Sequence, residues 1–195
     1  MQTTTLSGLV LAAGAGARRG EPKALAHDGA WLRQAVELLL VGGCARVVVV
    51  LGASADEARE LVPPDERVDT VVAADWADGL GASLRTGLAH ASGDAVVVTL
   101  VDLPGTPVAV VGRVAAGAGR DTLRQAVFDG RPGHPVVVGA DHWAALAATL
   151  GGDRGARPYL VAHGVEEVEC IDLHHGEDVD GPPLTPPPPT PPAGA

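Results

Sequence analysis

Four continuous apolar runs constrain the fold of this chain more than any other feature. They are rich in valine and cover residues 8–13, 47–51, 70–74 and 95–101. Continuous rather than alternating runs are typical of parallel strands that are covered on both faces. Segments with helical spacing separate the runs, at residues 32–40, 55–62 and 81–91. This order predicts right-handed βαβ units and an α/β fold with a doubly wound, mostly parallel sheet.

The second half of the chain predicts a small antiparallel excursion near one edge of that sheet. Residues 124–128 and 135–138 are expected to be strands joined by the turn-rich segment 129–134. Helices are expected at residues 141–150 and 156–163, and a last strand at 165–171. We expect one domain over residues 1–181. Residues 182–195 contain eight of the 16 prolines and are predicted to form an extended, disordered tail.

Composition excludes several classes of partner. The 24 acidic residues outnumber the 14 basic ones, and the formal charge of −10 argues against binding to nucleic acid or to an anionic membrane. The sequence has neither an apolar run of bilayer length nor a recognisable signal peptide, so a cytoplasmic protein is expected. Cys44 and Cys170 lie in no metal or redox motif and are predicted to be buried thiols, although a single disulfide stays open.

A glycine-rich loop follows the first apolar run. It extends from Leu11 to Lys23 and contains Gly14, Gly16 and Arg18. Glycines let backbone N–H groups approach an anion closely, and the two cationic side chains supply the charge that a polyphosphate needs. An ordinary strand-to-helix turn is the simpler alternative. The pattern favours phosphate binding.

Two better-known phosphate loops do not fit this segment. The dinucleotide fingerprint needs glycine at its sixth position, where counting from Gly14 gives Arg19. The nucleoside-triphosphatase loop ends in Gly-Lys-Ser/Thr, whereas Gly20 is followed by Glu21 and Pro22. A nicotinamide dehydrogenase and a triphosphatase of that type are therefore disfavoured.

Two later loops also carry polar groups at predicted strand ends. After the third run come Asp75, Gly79 and Ser83, which offer a hydroxyl and backbone donors to a base or sugar. Asp102 follows the fourth run directly and is predicted to bind Mg²⁺ beside the phosphates, with a helix N-cap as the alternative. The second metal ligand is expected to be Asp178 or Asp180.

These motifs together resemble the MobA-like NTP transferases, and most closely their molybdenum cofactor cytidylyltransferase branch. Residues 11–23 match the family signature Leu-Ala-Ala-Gly-x-Gly-x-Arg-Met-Gly-x-Pro-Lys, except that Arg19 replaces methionine. Further resemblances lie at residues 76–88, 101–104, 131–136, 152–157 and 178–182. Glycine and glutamine of the family's Gly-Asp-Gln-Pro are replaced around Asp102.

The resemblance implies a Rossmann-like nucleotidyltransferase with Mg²⁺ as cofactor. The donor is a nucleoside triphosphate, with CTP favoured because Ala12 and Ala13 are similar to the CTP-using branch. The acceptor is a phosphorylated small molecule, molybdopterin in the closest branch, which also implies a partner in molybdoenzyme maturation. By role, the implied residues are Arg18, Lys23 and Asp102 in catalysis; Leu11, Ala12, Ala13, Gly14, Gly16, Arg18, Lys23, Asp75, Gly79 and Ser83 for the nucleotide; His134 and Arg157 for the acceptor; and Asp102 and Asp180 for the metal.

Three alternatives stay open. The acceptor could be a sugar phosphate or another phosphorylated metabolite. The chain could bind nucleotides without turnover, as the changes at Arg19 and around Asp102 would allow. A few proteins of similar sequence carry oxidoreductase names connected with dye or alkaloid breakdown, although no redox-cofactor motif is recognisable here.

Overall fold

A seven-stranded sheet organises the part of the chain that the computed structural model describes, which is residues 4–16, 20–152 and 154–176. The strands are β1 (Leu6–Ala12), β2 (Arg46–Leu51), β3 (Val68–Val72), β4 (Ala95–Leu100), β5 (Leu123–Phe128), β6 (Arg131–Gly139) and β7 (Glu166–Glu169). Their order across the sheet is β3-β2-β1-β4-β6-β5-β7. Strands β1 to β4 are parallel, whereas β6 runs antiparallel to both β4 and β5. The predicted mostly parallel α/β sheet with an antiparallel excursion is confirmed.

In the described ranges, six α-helices cover the two faces of the sheet. They are α1 (Ala26–Val41), α2 (Ala55–Glu60), α3 (Leu80–His90), α4 (Val108–Ala115), α5 (Ala140–Thr149) and α6 (Arg157–Ala162). The first helix starts with a kink, because His27, Asp28 and Gly29 have φ of 52°, 53° and 75°. Its regular part therefore coincides closely with the segment predicted from helical spacing.

The sequence did not predict helix α4. Its core-facing residues are valines, whose branched side chains lower helix propensity. Val110, Val111 and Val114 are nevertheless completely buried against the sheet, and Pro107 precedes the helix in an extended conformation. Tertiary burial of one apolar face decides the conformation here.

The core has two layers, one on each face of the sheet. In β2, Val47, Val49 and Leu51 pack with α1 and α4, whereas Val48 and Val50 pack with α3, α5 and α6. Strand β1 divides in the same way, with Val10 on the first face and Leu9 on the second. Double coverage explains why these strands are continuously apolar.

Both cysteines are buried free thiols, as predicted. Burial raises the pKa of the Cys44 thiol to about 12, so this group stays protonated. In the described ranges, no helix combines the length and the apolar character that a bilayer crossing requires. The proposed tail at residues 182–195 lies outside the described residues, so the domain boundary at residue 181 stays a prediction.

Two helical glycines provide a matched test of this packing. A Cβ at Gly87 in α3 would lie 2.5 Å from Leu9 Cδ1, whereas one at Gly112 in α4 would meet nothing within 4 Å. We expect Gly87→Ala to lower the free energy of unfolding by about 1–2 kcal/mol, since overpacking outweighs the gain in helix propensity. Gly112→Ala should instead raise it by roughly 0.5–1 kcal/mol. Urea denaturation measures both, and a stabilised Gly87→Ala would contradict the packing of α3 on β1.

Candidate functional site

The candidate site lies at the edge of the sheet where β1 to β4 end. Strand β6 is antiparallel to β4 and pairs Val136 with Val98, so its first residues extend past this same edge. The loops are joined by main-chain hydrogen bonds, because the Ala53 N–H donates to the Ala13 carbonyl at 3.0 Å. The edge therefore brings residues from distant parts of the sequence together.

The glycine-rich loop leaves the core abruptly. Leu11, Ala12 and Ala13 are buried, whereas Gly14 is exposed. Gly16 has φ of +62°, and a Cβ there would lie 1.8 Å from the Glu21 carbonyl oxygen. The Gly20 N–H closes the turn by donating to the Gly16 carbonyl at 2.9 Å. Only glycine fits at position 16. Arg18 and Arg19 lie outside the described residues.

An ion pair between Lys23 Nζ and Asp102 Oδ2 connects this loop to the end of β4. Lys23 is the only lysine in the sequence. The Asp102 side chain is 12% exposed and the Lys23 side chain 21%, so water screens the pair only weakly. Helix α4 begins at Val108 with Pro107 before it, so the N-cap alternative for Asp102 is wrong.

Asp102 fits one ligand of a Mg²⁺ ion. Magnesium is usually held by one or two protein carboxylates together with water and phosphate oxygens, and Asp102 is an almost buried carboxylate beside the phosphate-type loop. Within the described ranges, no group of three or more His, Cys, Asp or Glu residues surrounds a common point. Asp178 and Asp180 lie outside the described residues, so the second ligand stays a prediction.

The loop after β3 is held by an arginine that sequence analysis gave no role. Arg85 in α3 pairs with Asp75 at 2.6 Å and also donates to the Leu150 carbonyl at 3.0 Å. Asp75, predicted to bind nucleotide, thus also anchors this loop through its pair with Arg85. No spacing rule relates Asp75 to Arg85, because a turn lies between the strand end and the helix.

The start of α3 contacts the segment that precedes α6. The Gly81 N–H donates to the Gly152 carbonyl at 3.2 Å, and a Cβ at Gly81 would lie 2.7 Å from the Arg154 carbonyl oxygen. Gly79 precedes α3 with φ of 114°, and Ser83 in its first turn is 4% exposed. Exposed Arg157 is the first residue of α6. The predicted nucleotide segment and the segment that leads to Arg157 are thus neighbours.

His134 lies in strand β6 and not in a loop, which corrects the prediction. The turn is only Asp129-Gly130, with φ of 55° and 69°, so β6 starts at Arg131. Asp-Gly is a strong two-residue hairpin signal, and it could have revealed this boundary. Burial lowers the pKa of His134 to about 4, opposed by the negative charge of Asp102. Its ring is therefore neutral at pH 7.

The carboxyl edge of this mostly parallel sheet therefore combines a glycine-rich first loop with a lysine–aspartate pair. The MobA-like NTP transferase domain matches residues 8–168 of this sequence. Because that match covers most of the chain, the protein belongs to the MobA-like NTP transferase family.

Individual relatives agree with this assignment. The chain is 40% identical to the nicotine blue oxidoreductase of Paenarthrobacter nicotinovorans, over 90% of this chain and 92% of the relative. Among solved structures, a homologue of Mycobacterium tuberculosis Rv0371c from Mycobacterium sp. strain JC1 has 30% identity and a TM-score of 0.74, with 90% of each chain covered. Rv0371c itself, in complex with manganese, has 26% identity and a TM-score of 0.70, covering 86% of this chain and 89% of that one.

The Lys23–Asp102 pair predicts weak metal binding before a nucleotide arrives, since Lys23 Nζ occupies a carboxylate oxygen that a metal would use. We expect Lys23→Met to tighten Mn²⁺ binding to the nucleotide-free protein by roughly 10- to 100-fold, the size of a charged hydrogen bond. Electron paramagnetic resonance of free Mn²⁺ measures this.

Arg46→Met is the matched control, because Arg46 forms an exposed pair with Asp69 at 2.6 Å. It should leave Mn²⁺ binding unchanged. Adding Asp102→Asn to Lys23→Met should remove the gain. Equal Mn²⁺ affinity of the wild type and Lys23→Met would show that the pair does not control access to Asp102.

Proposed function

We propose that this protein transfers a nucleotidyl group from CTP to the phosphate of a small-molecule acceptor, with molybdopterin as the first candidate, and releases pyrophosphate. The observation that carries this proposal is the Lys23–Asp102 pair beside the glycine-rich loop. A cation for the phosphates and a carboxylate for a metal are the two groups that such a transfer needs at one point. Membership of the family supports the same reaction class.

The reaction is a displacement at the α-phosphorus. An acceptor phosphate oxygen forms a bond to that phosphorus, and the bond to the oxygen bridging the α- and β-phosphates breaks. Pyrophosphate leaves with the electron pair, so no protein nucleophile is needed. Lys23, with Arg18 as the proposed second cation, stabilises the negative charge on the departing group. The protein acts mainly by positioning and by electrostatics.

The proposed metal is Mg²⁺, held by Asp102 with Asp180 as the second ligand. When bound, it would supply positive charge to the phosphate oxygens. The manganese complex of Rv0371c supports a divalent cation in the family. Asp102 fits because it is almost buried and lies at the sheet edge next to Lys23.

Substrate recognition is assigned to the two sides of this edge. Backbone groups of residues 11–14 and 16, with Asp75, Gly79 and Ser83, would hold the nucleotide. The resemblance of Ala12-Ala13 to the CTP-using branch supports cytosine. His134 and Arg157 would contact the acceptor phosphate. A neutral imidazole can donate one hydrogen bond to a phosphate oxygen, and a guanidinium can donate two. A partner in molybdoenzyme maturation would then receive the product.

An oxidoreductase that acts on a dye is the second candidate, because the 40% identical relative is named nicotine blue oxidoreductase. Reduction would require an external electron donor, since the two cysteines are buried free thiols and cannot act as an exposed redox pair. Incubating the protein with a reduced nicotinamide and a quinone-type dye tests this candidate. Dye reduction without pyrophosphate release from any triphosphate would favour it over nucleotidyl transfer.

Calorimetry with Asp102→Asn tests the donor site. We expect CTP to bind more tightly than GTP, UTP or ATP, and its affinity to depend on Mg²⁺ because Asp102 and the phosphates share the ion. Asp102→Asn should remove the dependence on Mg²⁺. Dependence on Mg²⁺ that persists in this variant would identify another acid as the ligand, and failure of all four nucleotides to bind would contradict the donor site.

Lys23→Ala tests the catalytic role of the ion pair. Its turnover should fall by roughly two to three orders of magnitude, the effect of losing a preorganised charge. Pyrophosphate release with a panel of phosphorylated acceptors measures this, and Arg46→Ala serves as the control that removes an exposed cation. Turnover of Lys23→Ala near the wild-type rate would contradict the catalytic role of Lys23 and the proposed nucleotidyl transfer. CTP binding without turnover in the wild type would favour a nucleotide-binding accessory protein.

A further inference from the structure

Strand β6 contains a bulge immediately before it joins the regular sheet. Gln125 of β5 pairs with Val136 of β6, and Val127 pairs with Pro132. One residue of β5, Ala126, therefore lies opposite residues 133–135 of β6. Bulges interrupt the hydrogen-bond ladder and turn side chains in new directions, and they often adjoin functional sites. His134 is the central residue of this bulge.

The buried side chain of Gln125 makes a hydrogen bond to β6 at the point where the strand ladder is interrupted. Gln125 is 8% exposed, and its Nε2 donates to the Gly133 carbonyl at 3.2 Å. On the other side, a Cβ at Gly133 would lie 2.7 Å from Cε2 of Phe128, so the bulge packs closely on that ring. Gly133 is thus held by the hydrogen bond from Gln125 on one side and by the Phe128 ring on the other.

The identity of Gln125 is unusual for its surroundings. Its β5 neighbours Ala126, Val127 and Phe128 are buried and apolar. A primary amide in such a strand is unfavourable unless it is hydrogen-bonded, and an apolar residue would pack there without that penalty. The hydrogen bond to the bulge is the contact that distinguishes glutamine from an apolar residue at this position.

We infer that Gln125 is a positioning residue that directs His134 towards the acceptor side of Asp102. The Gln125 side chain fixes the Gly133 peptide, and the fixed peptide sets the direction of the next Cα–Cβ bond. The pairing of Val136 with Val98 places His134 beside the end of β4, the strand that leads into Asp102. The acceptor part of this inference rests on the proposed function, in which His134 contacts the acceptor phosphate.

Two substitutions isolate the hydrogen bond. Gln125→Leu and Gln125→Met both remove the N–H donor, and methionine keeps the approximate volume of the side chain without polar hydrogen-bonding groups. Thr122→Val is the matched control, because Thr122 Oγ1 accepts from the Gly119 N–H at 2.8 Å near the other end of β5. That control lies beside Asp121, whose carbonyl contacts the His142 ring at 3.2 Å.

Carbon-13 spectra of the seven histidine rings at one fixed pH are the first measurement, with the His134 signal assigned by its loss in His134→Gln. Both Gln125 variants should shift or split the His134 signal and leave that of His142 unchanged. Thr122→Val should do the reverse. An unchanged His134 signal in both Gln125 variants would overturn the inference.

Inorganic phosphate, added with CTP and Mg²⁺ present, is the second probe. In the wild type and Thr122→Val, phosphate should move the His134 signal with the same apparent affinity. The Gln125 variants should need about tenfold more phosphate, the size of one hydrogen bond. If phosphate does not move the wild-type His134 signal, the acceptor role of His134 is contradicted. The first measurement then still decides whether Gln125 positions the His134 ring.

Discussion

Covering both faces of the β1 to β4 sheet restricts where this protein can carry out chemistry. Alternating residues of β1, β2 and β4 enter one of two apolar layers, so neither face of these strands has room for a polar site. Backbone groups and ionisable side chains can meet water only where the strands end. The Lys23–Asp102 pair, the glycine-rich loop and the His134 bulge all lie at the edge where β1 to β4 end.

Close backbone packing at that edge depends on glycines, which have no side chain. A Cβ at Gly52 would lie 2.6 Å from both the Ala13 carbonyl oxygen and Trp76 Cγ, and Gly81 is enclosed just as tightly by the segment before α6. Such contacts let neighbouring loops bond directly through their main chains. The polar edge is therefore a continuous, preorganised surface, which is what electrostatic stabilisation of a charged reaction requires.

Sequence patterns predicted the parts of this arrangement that depend on local rules. Apolar runs located β1, β2 and β4 nearly to the residue, and the predicted third run, 70–74, overlaps β3 at Val68–Val72. Helix α4 escaped prediction because its valines favour strands and only tertiary burial makes them helical. Of the site, the Gly16 turn and the place of Asp102 at the end of β4 follow from the sequence. The Arg85–Asp75 pair and the Gln125 contact do not, since both join elements whose registration is set by the folded sheet.

The His134 side of the edge also has its own support from the segment that follows β7. The Glu169 carboxylate accepts from the N–H groups of Ile171 and Cys170 and from those of the Asp129-Gly130 turn, and these bonds hold its pKa below the usual range. A Cβ at Gly176 would lie 2.2 Å from Phe128, the same ring that packs against Gly133. Since Phe128 touches both segments, the position of the His134 bulge and the path of the chain at Gly176 are mechanically linked. Gly176 therefore lies beside the His134 bulge, and it precedes Asp178 by two residues in the sequence.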